Sequence, residues 1–566
     1  MSTLLAAGLP GLAYAQDARP VRADAPRSEP ARGPAGLPPE LAQLPRSAEA
    51  ALYAPHLVDA LTDLHDLTEI LKTVDPALGQ RSAPELLAQV LFGNGWTPGA
   101  PGPARPVLAR LATPEGLRAV GVDPQGPVTA LLSPESGVAV VGFELVSRPA
   151  FERWLDALGG DDRTRLELGG EHASVLGAAS DVPVTCIARH NRAFCQLGAA
   201  TGKDPVAALR EVATGPKARL GDVAGLTRAH AALPSGARLL GVLNTEAMAG
   251  WLTREAAAYG ARANRFASAA ERNRAVAEAR AMGEKVRHVA KKVEGTAFGV
   301  YRDDESLSLR TEVALSDFGA RLLAPHLRAP GEHPLVTGWA LTPALARLVL
   351  RIDPRSVAKL GEKLGLALPQ DSLTGDLALI SLGVDSECPM ARAKKAQAAA
   401  HLRWPFLMPS AVAIGVVGPE AATALHEALS KQLDVEPGEV APGSRAHLEG
   451  RVGGSPYEIE VRDDVMLAGT GLGSAPAAVR RLSAVKAQPP REDAPLLEAA
   501  VDLLAVDAAF AAGSFGRDHT PELLTMEALR LTLKPLWDHV AQVEWTVRAE
   551  DSARRLSSQV VLRPPP

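Results

Sequence analysis

Ser136–Leu158, SGVAVVGFELVSRPAFERWLDAL, and Ser410–Leu429, SAVAIGVVGPEAATALHEAL, decide how this 566-residue chain reads. Each is a strand of small and β-branched residues, then a turn with Pro near the helix start, then an amphipathic helix. Downstream of each lies a hairpin, VTCIARHNRAFCQLG (Val184–Gly198) and YEIEVRDDVMLAGTG (Tyr457–Gly471). Their turns, His190-Asn191 and Asp463-Asp464, superpose at an offset of 273, and each hairpin leads to a helix headed by Pro205 or Pro476. Upstream, Gly121–Ser133 matches Leu366–Ser381. Downstream, Ala237–Leu252 matches Ala499–Gly513, and both series close with a charged-turn hairpin, Phe298–Leu315 and Val543–Leu562.

These matches predict a tandem duplication, with one copy over 47–327, a second over 329–566, and a joint at Pro330–Pro334. Strands alternate with helices and hairpins are frequent. The fold class expected is therefore α+β, one module used twice, with mainly antiparallel or mixed sheets backed by helices. A doubly wound parallel sheet is the alternative.

The composition agrees with a chain able to build large cores: 46% hydrophobic and 22% charged, with a formal net charge of −5. With 60 Lys and Arg against 65 Asp and Glu there is no global basic surplus to neutralise phosphates, and 4% aromatics leaves few rings to stack bases, so no nucleic-acid partner is expected. Three cysteines are too few for a disulfide scaffold, an iron-sulfur protein or a structural zinc ribbon.

The N-terminus predicts export. Leu4–Leu12 is a short apolar run, and Ala13-Tyr14-Ala15 is the small-x-small pattern of a signal-peptidase site, so cleavage is expected after Ala15. No Lys or Arg precedes the run: either the start is placed downstream of a basic region, or the segment is an Ala-rich N-terminus that imitates a signal. Residues 16–46 form a Pro/Ala/Arg-rich tether, and no cysteine follows the cut to carry a lipid anchor. Elsewhere no apolar run approaches the roughly 18 residues of a membrane span. The location expected is the periplasm or the outside of the cell.

The strand-then-helix openings EAALYAPHLVDAL (Glu49–Leu61) and PLVTGWALTPALARL (Pro334–Leu348), with LALPQDSLTGDLALISL, resemble a family of uncharacterised exported bacterial proteins known as a domain of unknown function. The resemblance covers most of residues 47–566. It implies export and a strand-helix architecture, and it brings no catalytic residues with it.

Cys186 and Cys195 flank the two-residue turn at His190-Asn191, and counting outward places them directly opposite on a non-hydrogen-bonded pair, where a cross-strand disulfide fits. The alternative is two buried thiols, since Val184, Ala188, Ala193 and Leu197 share their face. A bridge there would be structural, because no CxxC spacing is present. Gly469-Thr470-Gly471-Leu472-Gly473 lies between a strand and a helix, but the matching turn lacks the pattern and Pro476 accounts for the turn, so no cofactor is expected. The 13 histidines show no H-x-x-x-H, HExxH or His/Cys cluster, which predicts no metal site. No G-x-S-x-G occurs, and Asp303-Asp304 and Asp463-Asp464 sit at hairpin tips where Asp suits the turn, so no catalytic residue is assigned.

Two departures between the matched halves point to contact surfaces. From Asn244 to Asp303 is 59 residues, against 43 from Asp507 to Glu550. The excess is a long helical tract, Arg254–Lys292, whose ten Lys and Arg, among them Arg262, Arg265, Arg272, Lys291 and Lys292, face four Glu for a net +6. It suits anionic lipid, lipopolysaccharide or an acidic partner, or is a solvated helix. In the second half, Ile380–Val412 replaces a short link. It holds the third cysteine, Cys388, a basic run with Arg392, Lys394 and Lys395, and an apolar-aromatic end with Arg403, Trp404 and Phe406. That is the composition of a loop that docks on a partner or membrane, or of one that buries its own aromatic end.

Two functional classes follow. The first is a non-catalytic envelope protein that binds a protein partner, a lipid or a surface polymer. The second is a hydrolase-type enzyme with a site in the cleft between the copies.

Overall fold

A computed structural model describes residues 36–62, 113–133, 138–159, 164–176, 184–198, 204–250, 253, 268–303, 306–327, 346–363, 367–381, 410–433, 446–452, 455–462, 465–470, 495–511, 539–550 and 554–565. The chain divides into two compact units, Met1–Ala320 with Arg554–Ser557, and Arg321–Ala553 with Ser558–Pro566. The segment expected to be a signal, the expected joint at 330–334, and the insert bearing Cys388 lie outside the described residues.

The strands of the first unit are β1 (Ala50–Ala54), β2 (Val128–Ser133), β3 (Val138–Glu144), β4 (Thr164–Leu168), β5 (Glu171–Leu176), β6 (Val184–Arg189), β7 (Arg192–Leu197), β8 (Leu239–Leu243), β9 (Val293–Arg302) and β10 (Leu307–Leu315). They pair in the order β4-β5-β6-β7-β3-β2-β1-β8-β9-β10, every pairing antiparallel. The helices are α1 (Pro39–Ala42), α2 (Pro114–Ala119), α3 (Arg148–Gly159), α4 (Ala207–Thr214), α5 (Ala224–Ala231), α6 (Ala269–Ala290) and α7 (Asp317–Leu323), the last running past Ala320.

In the second unit, β11 (Ala346–Arg351), β12 (Leu373–Ser381), β13 (Ser410–Val416), β14 (Ala446–Val452), β15 (Ser455–Val461), β16 (Val465–Thr470), β17 (Leu497–Asp502) and β18 (Gln542–Glu550) pair in the antiparallel order β14-β15-β16-β13-β12-β11-β17-β18. The last strand is β19 (Arg555–Arg563), and Ala541 N donates to Arg563 O at 2.8 Å. The core here joins Leu425 and Leu429 of α9 (Pro419–Leu433) and Val357 of α8 (Pro354–Lys363) to Leu448, Ile459 and Met466.

This corrects the fold class. The sequence predicts an α+β module used twice, with mainly antiparallel or mixed sheets backed by helices. What forms is predominantly sheet, with strand outweighing helix and no parallel pairing among the described strands. The physical reason lies in the partnering. A Pro-headed helix after each strand suggests a strand-helix repeat, but β9, β10, β12, β18 and β19 run to nine or ten residues and find their partners through hairpins and distant strands.

Both faces of the first unit's sheet are buried near β3, β6 and β7. On one face Ala51, Leu131, Val140, Ile187, Val242 and Ala297 meet Leu41 of α1, Leu209 of α4, and Leu226 and Ala229 of α5. On the other, Cys186, Ala188 and Ala193 lie under α2 and α3, where Phe151 stacks edge-on with Phe143 at 5.6 Å and tilts against Trp154 at 5.5 Å. Each fully buried Leu or Phe contributes roughly 1.5–3 kcal/mol. The core begins ahead of residue 47, within the stretch expected to be a tether: Leu37, Leu41 and Leu44 are all buried.

Gln196 shows how a polar residue is accommodated in this core. Fully buried, its Nε2 donates to Gly198 O at 2.9 Å and Pro205 O at 2.6 Å, and its Oε1 accepts from Leu209 N at 3.1 Å, tying the start of α4 to β7.

Cys186 and Cys195 are bridged, with Cα atoms 4.1 Å apart, on directly opposed positions of the β6–β7 hairpin. The bridge closes a loop of sequence separation 9. Loop-closure entropy for a loop that short predicts that Cys186→Ala with Cys195→Ala costs about 2–3 kcal/mol. Urea unfolding of that variant against the oxidised wild type checks this, and an unchanged midpoint at equal m contradicts it.

Candidate functional site

Of the residues singled out from the sequence as contacts, Arg262, Arg265, Arg392, Lys394, Lys395, Arg403, Trp404 and Phe406 lie outside the described residues. Arg272 is on α6, and Lys291 and Lys292 follow directly at its end. Three hydrogen bonds form a capping box at the start of this 22-residue helix: Ser268 N and Oγ donate to Glu271 Oε2 at 3.3 and 2.9 Å, and Glu271 N donates to Ser268 Oγ at 3.2 Å. At its other end Arg287 and His288 complement the helix dipole, and His288 packs edge-on against Phe318.

At 100° per residue, Arg272, Val276, Arg280, Arg287 and Lys291 fall within an arc of about 100°, spread along about 28 Å of helix axis. Val276 is 51% exposed, Arg280, Arg287 and Lys291 are exposed, and Arg272 is half-buried. Glu271 and Glu278 project from the opposite side, and the exposed Glu284 stands at the edge of the arc, one turn from Arg280 and Arg287. None of these four cations makes an ion pair among the described residues, and the arc is a cationic stripe with one valine in it.

A second feature has no counterpart in the sequence reading. Strand pairing sets Tyr53 opposite Thr129, Thr129 opposite Gly142, Gly142 opposite Phe194, and Glu144 opposite Arg192, all on one face. There a recess of about 70 Å³ opens beside α1 and α4, lined by Glu40, Leu44, Arg192, Phe194, Val212 and Arg219, with Gln43 and the buried Thr129 also at its wall. Arg192 places its guanidinium carbon 5.4 Å from the centre of the Phe194 ring, and its Nε is buried without a hydrogen-bond acceptor. Burial first, then Glu40 and Glu144, push the Tyr53 phenol up, while Arg192 pulls it down. The signal in the sequence is Arg192-x-Phe194 at a hairpin tip; Glu144 and Tyr53 share that sheet face through distant pairings.

Four further polar residues, three of them buried and Tyr301 half-buried, have structural roles. Glu312 is 5% exposed and accepts from Ser557 Oγ at 2.7 Å, with Arg555 Nε at 3.6 Å. Arg351 and Asp376 stand opposite each other between β11 and β12; Arg351 Nη1 donates to Pro495 O at 2.7 Å and Thr374 Oγ1 donates to Asp376 Oδ2 at 3.2 Å. Tyr301 donates to Pro234 O at 2.8 Å, and burial pushes its phenol up. Among the described residues no three His, Cys, Asp or Glu side chains converge as a metal site, and no helix is long and apolar enough to cross a membrane.

No protein-family model matches the chain, and no curated protein matches it. Among solved structures, crystal form I of TP0453 aligns at a TM-score of 0.25 and 8% identity, over 52% of this chain and 89% of that one. Crystal form IV of TP0453 aligns at 0.24 and 7% identity, over 51% and 84%. Overlap of this size defines no common fold.

His230 on α5 supplies a pH test. It is 3% exposed, its Nδ1 has no hydrogen-bond partner among the described residues, and burial holds its imidazole below the ordinary histidine range. With the folded-state value depressed, the unfolded chain binds the proton first as pH falls, so stability is full above about pH 6.5 and is lost below it, towards the folded-state value. His230→Leu is expected to flatten that part of the profile. Chemical denaturation at stepped pH checks this; a His230→Leu curve parallel to wild type between neutral and mildly acid pH contradicts it.

Proposed function

We propose that this is a non-catalytic, exported protein of the cell envelope that docks on an anionic lipid surface through the cationic stripe of α6. The stripe is the observation that carries the reading. Apart from the half-buried Arg272 it is exposed, its four cations run along about 28 Å with no ion pair among the described residues, and Val276 is the large apolar residue described within it. Contact of this kind is Coulombic, so it is peripheral and reversed by salt. The disulfide supports an oxidising compartment, periplasmic or extracellular, since such a bridge persists where thiols are not kept reduced. The small-x-small site ending at Ala15 and the resemblance to exported bacterial proteins support the same location.

The test is flotation with vesicles of phosphatidylglycerol and phosphatidylcholine. Binding is expected to rise with the anionic fraction and to vanish at high salt. Arg280→Gln with Arg287→Gln removes about 1 kcal/mol per charge, roughly a fivefold loss in partitioning for each. Equal binding to pure phosphatidylcholine vesicles, or no effect of the double variant, counts against the proposal. Export has its own measurement: in the native host the mature chain is expected in the envelope fraction with Gln16 at its N-terminus, and an intact Met1 in the cytoplasm contradicts it.

A further inference from the structure

The recess beside α1 and α4 is built with both signs of charge and an apolar floor. Arg192 enters from β7, pressed against Phe194, with an Nε that has neither solvent nor an acceptor. Burying an unmet donor of a cation costs about 1–3 kcal/mol or more and holds the guanidinium at the wall of the recess, where the complement of its remaining N–H groups is an acceptor in the recess. Arg219, exposed, adds a second cation at the wall, and neither arginine forms an ion pair among the described residues. Glu40, in the first turn of α1, supplies a carboxylate to the same space, and Leu44, Val212 and Phe194 supply apolar surface. An anion alone would meet Glu40, and a cation alone would meet the two guanidinium groups. Only a ligand carrying both charges satisfies the lining.

Size narrows the class. A volume of about 70 Å³ holds on the order of five water-sized atoms and is far below the 300–1,000 Å³ of a drug-sized pocket. Thr129, which could add a contact, has its hydroxyl turned to Gly142 O at 3.4 Å.

We propose that this recess binds a small amino-acid zwitterion of the size of glycine, its carboxylate on the Arg192 and Arg219 guanidinium groups and its ammonium on Glu40. Planar guanidinium is suited to a carboxylate, and the fixed position of Arg192 over Phe194 limits what must be ordered on binding. The site is independent of α6 and of any membrane contact.

The experiment is thermal unfolding of the full chain titrated separately with glycine, sodium acetate and methylamine hydrochloride at matched ionic strength. Glycine is expected to raise the melting temperature saturably, with half-effect at a roughly millimolar concentration. Acetate and methylamine, each with one of the two charges, are expected to shift it by less than half as much. Arg192→Gln and Glu40→Gln should each weaken the glycine effect at least tenfold. Val212→Phe, from a half-buried position on α4, fills the recess without touching either charge and should abolish the effect, which keeps the test open if Arg192→Gln does not fold. The proposal is overturned if acetate matches glycine, if glycine produces no shift up to about 0.1 M, or if Val212→Phe responds as wild type does.

Discussion

The first unit is organised by a contact between two glycines. A methyl group on Gly225 of α5 would stand 2.6 Å from the backbone carbonyl carbon of Glu294, and one on Gly295 of β9 would stand 2.7 Å from Leu226 N. Helix and strand therefore meet backbone to backbone, closer than any pair of side chains allows. That seating drives Leu226 and Ala229 into the core against Val242 and Ala297, and Arg228 pairs with Glu294 at its margin. It also fixes what precedes α5. Leu220 N, opening the turn at Leu220–Asp222, donates to Leu44 O at 2.8 Å, and Arg46 N donates to Ala218 O at 2.9 Å. These bonds bring the chain around α1 to the sheet and set one wall of the recess.

The sequence made the local features legible. The hairpin Val184–Gly198 announces its register through His190-Asn191, and from that register the opposition of Cys186 and Cys195 follows by counting. Ser268 and Glu271 mark the start of α6 in the S-x-x-E form that caps a helix. What could not be read is the lateral order. Periodicity reports which face a residue takes, but not which strand lies alongside. β3 pairs with β7 across three intervening strands, and β1 lies between β2 and β8. The dominance of antiparallel sheet, missed in a reading weighted by strand-helix units, is a product of those distant pairings. So is the recess, whose Glu40, Thr129, Arg192 and Arg219 are scattered along the chain.

Aromatic residues are only 4% of the chain, and several are spent on the sheet's glycines. Phe298 lies over Gly241, its cross-strand partner, so closely that a Cβ there would be 2.0 Å from the ring. Phe194 covers Gly142 in the same way, whereas Tyr301 covers Gly299 from two residues along its own strand. A ring laid over a glycine restores the packing that the missing side chain withholds and pins the register of the two strands. The same arrangement lets Phe194 serve as the platform for Arg192, so a device that aligns strands also prepares a binding surface.

The position of β1 bears on how the protein is made. Ala50 pairs on one side with Leu132 and on the other with Leu243, so β1, the first strand among the described residues, is an interior strand of the sheet. Until the residues of β8 have left the ribosome, or the translocation channel of an exported chain, one edge of β1 has no partner. The β6–β7 hairpin, by contrast, closes within its own few residues and can be sealed by oxidation as soon as both cysteines emerge. Pairing within this unit thus mixes a hairpin that needs only its own residues with an interior strand that must wait for a partner almost 200 residues downstream, and the waiting edge of β1 is the surface that a holding chaperone would have to protect.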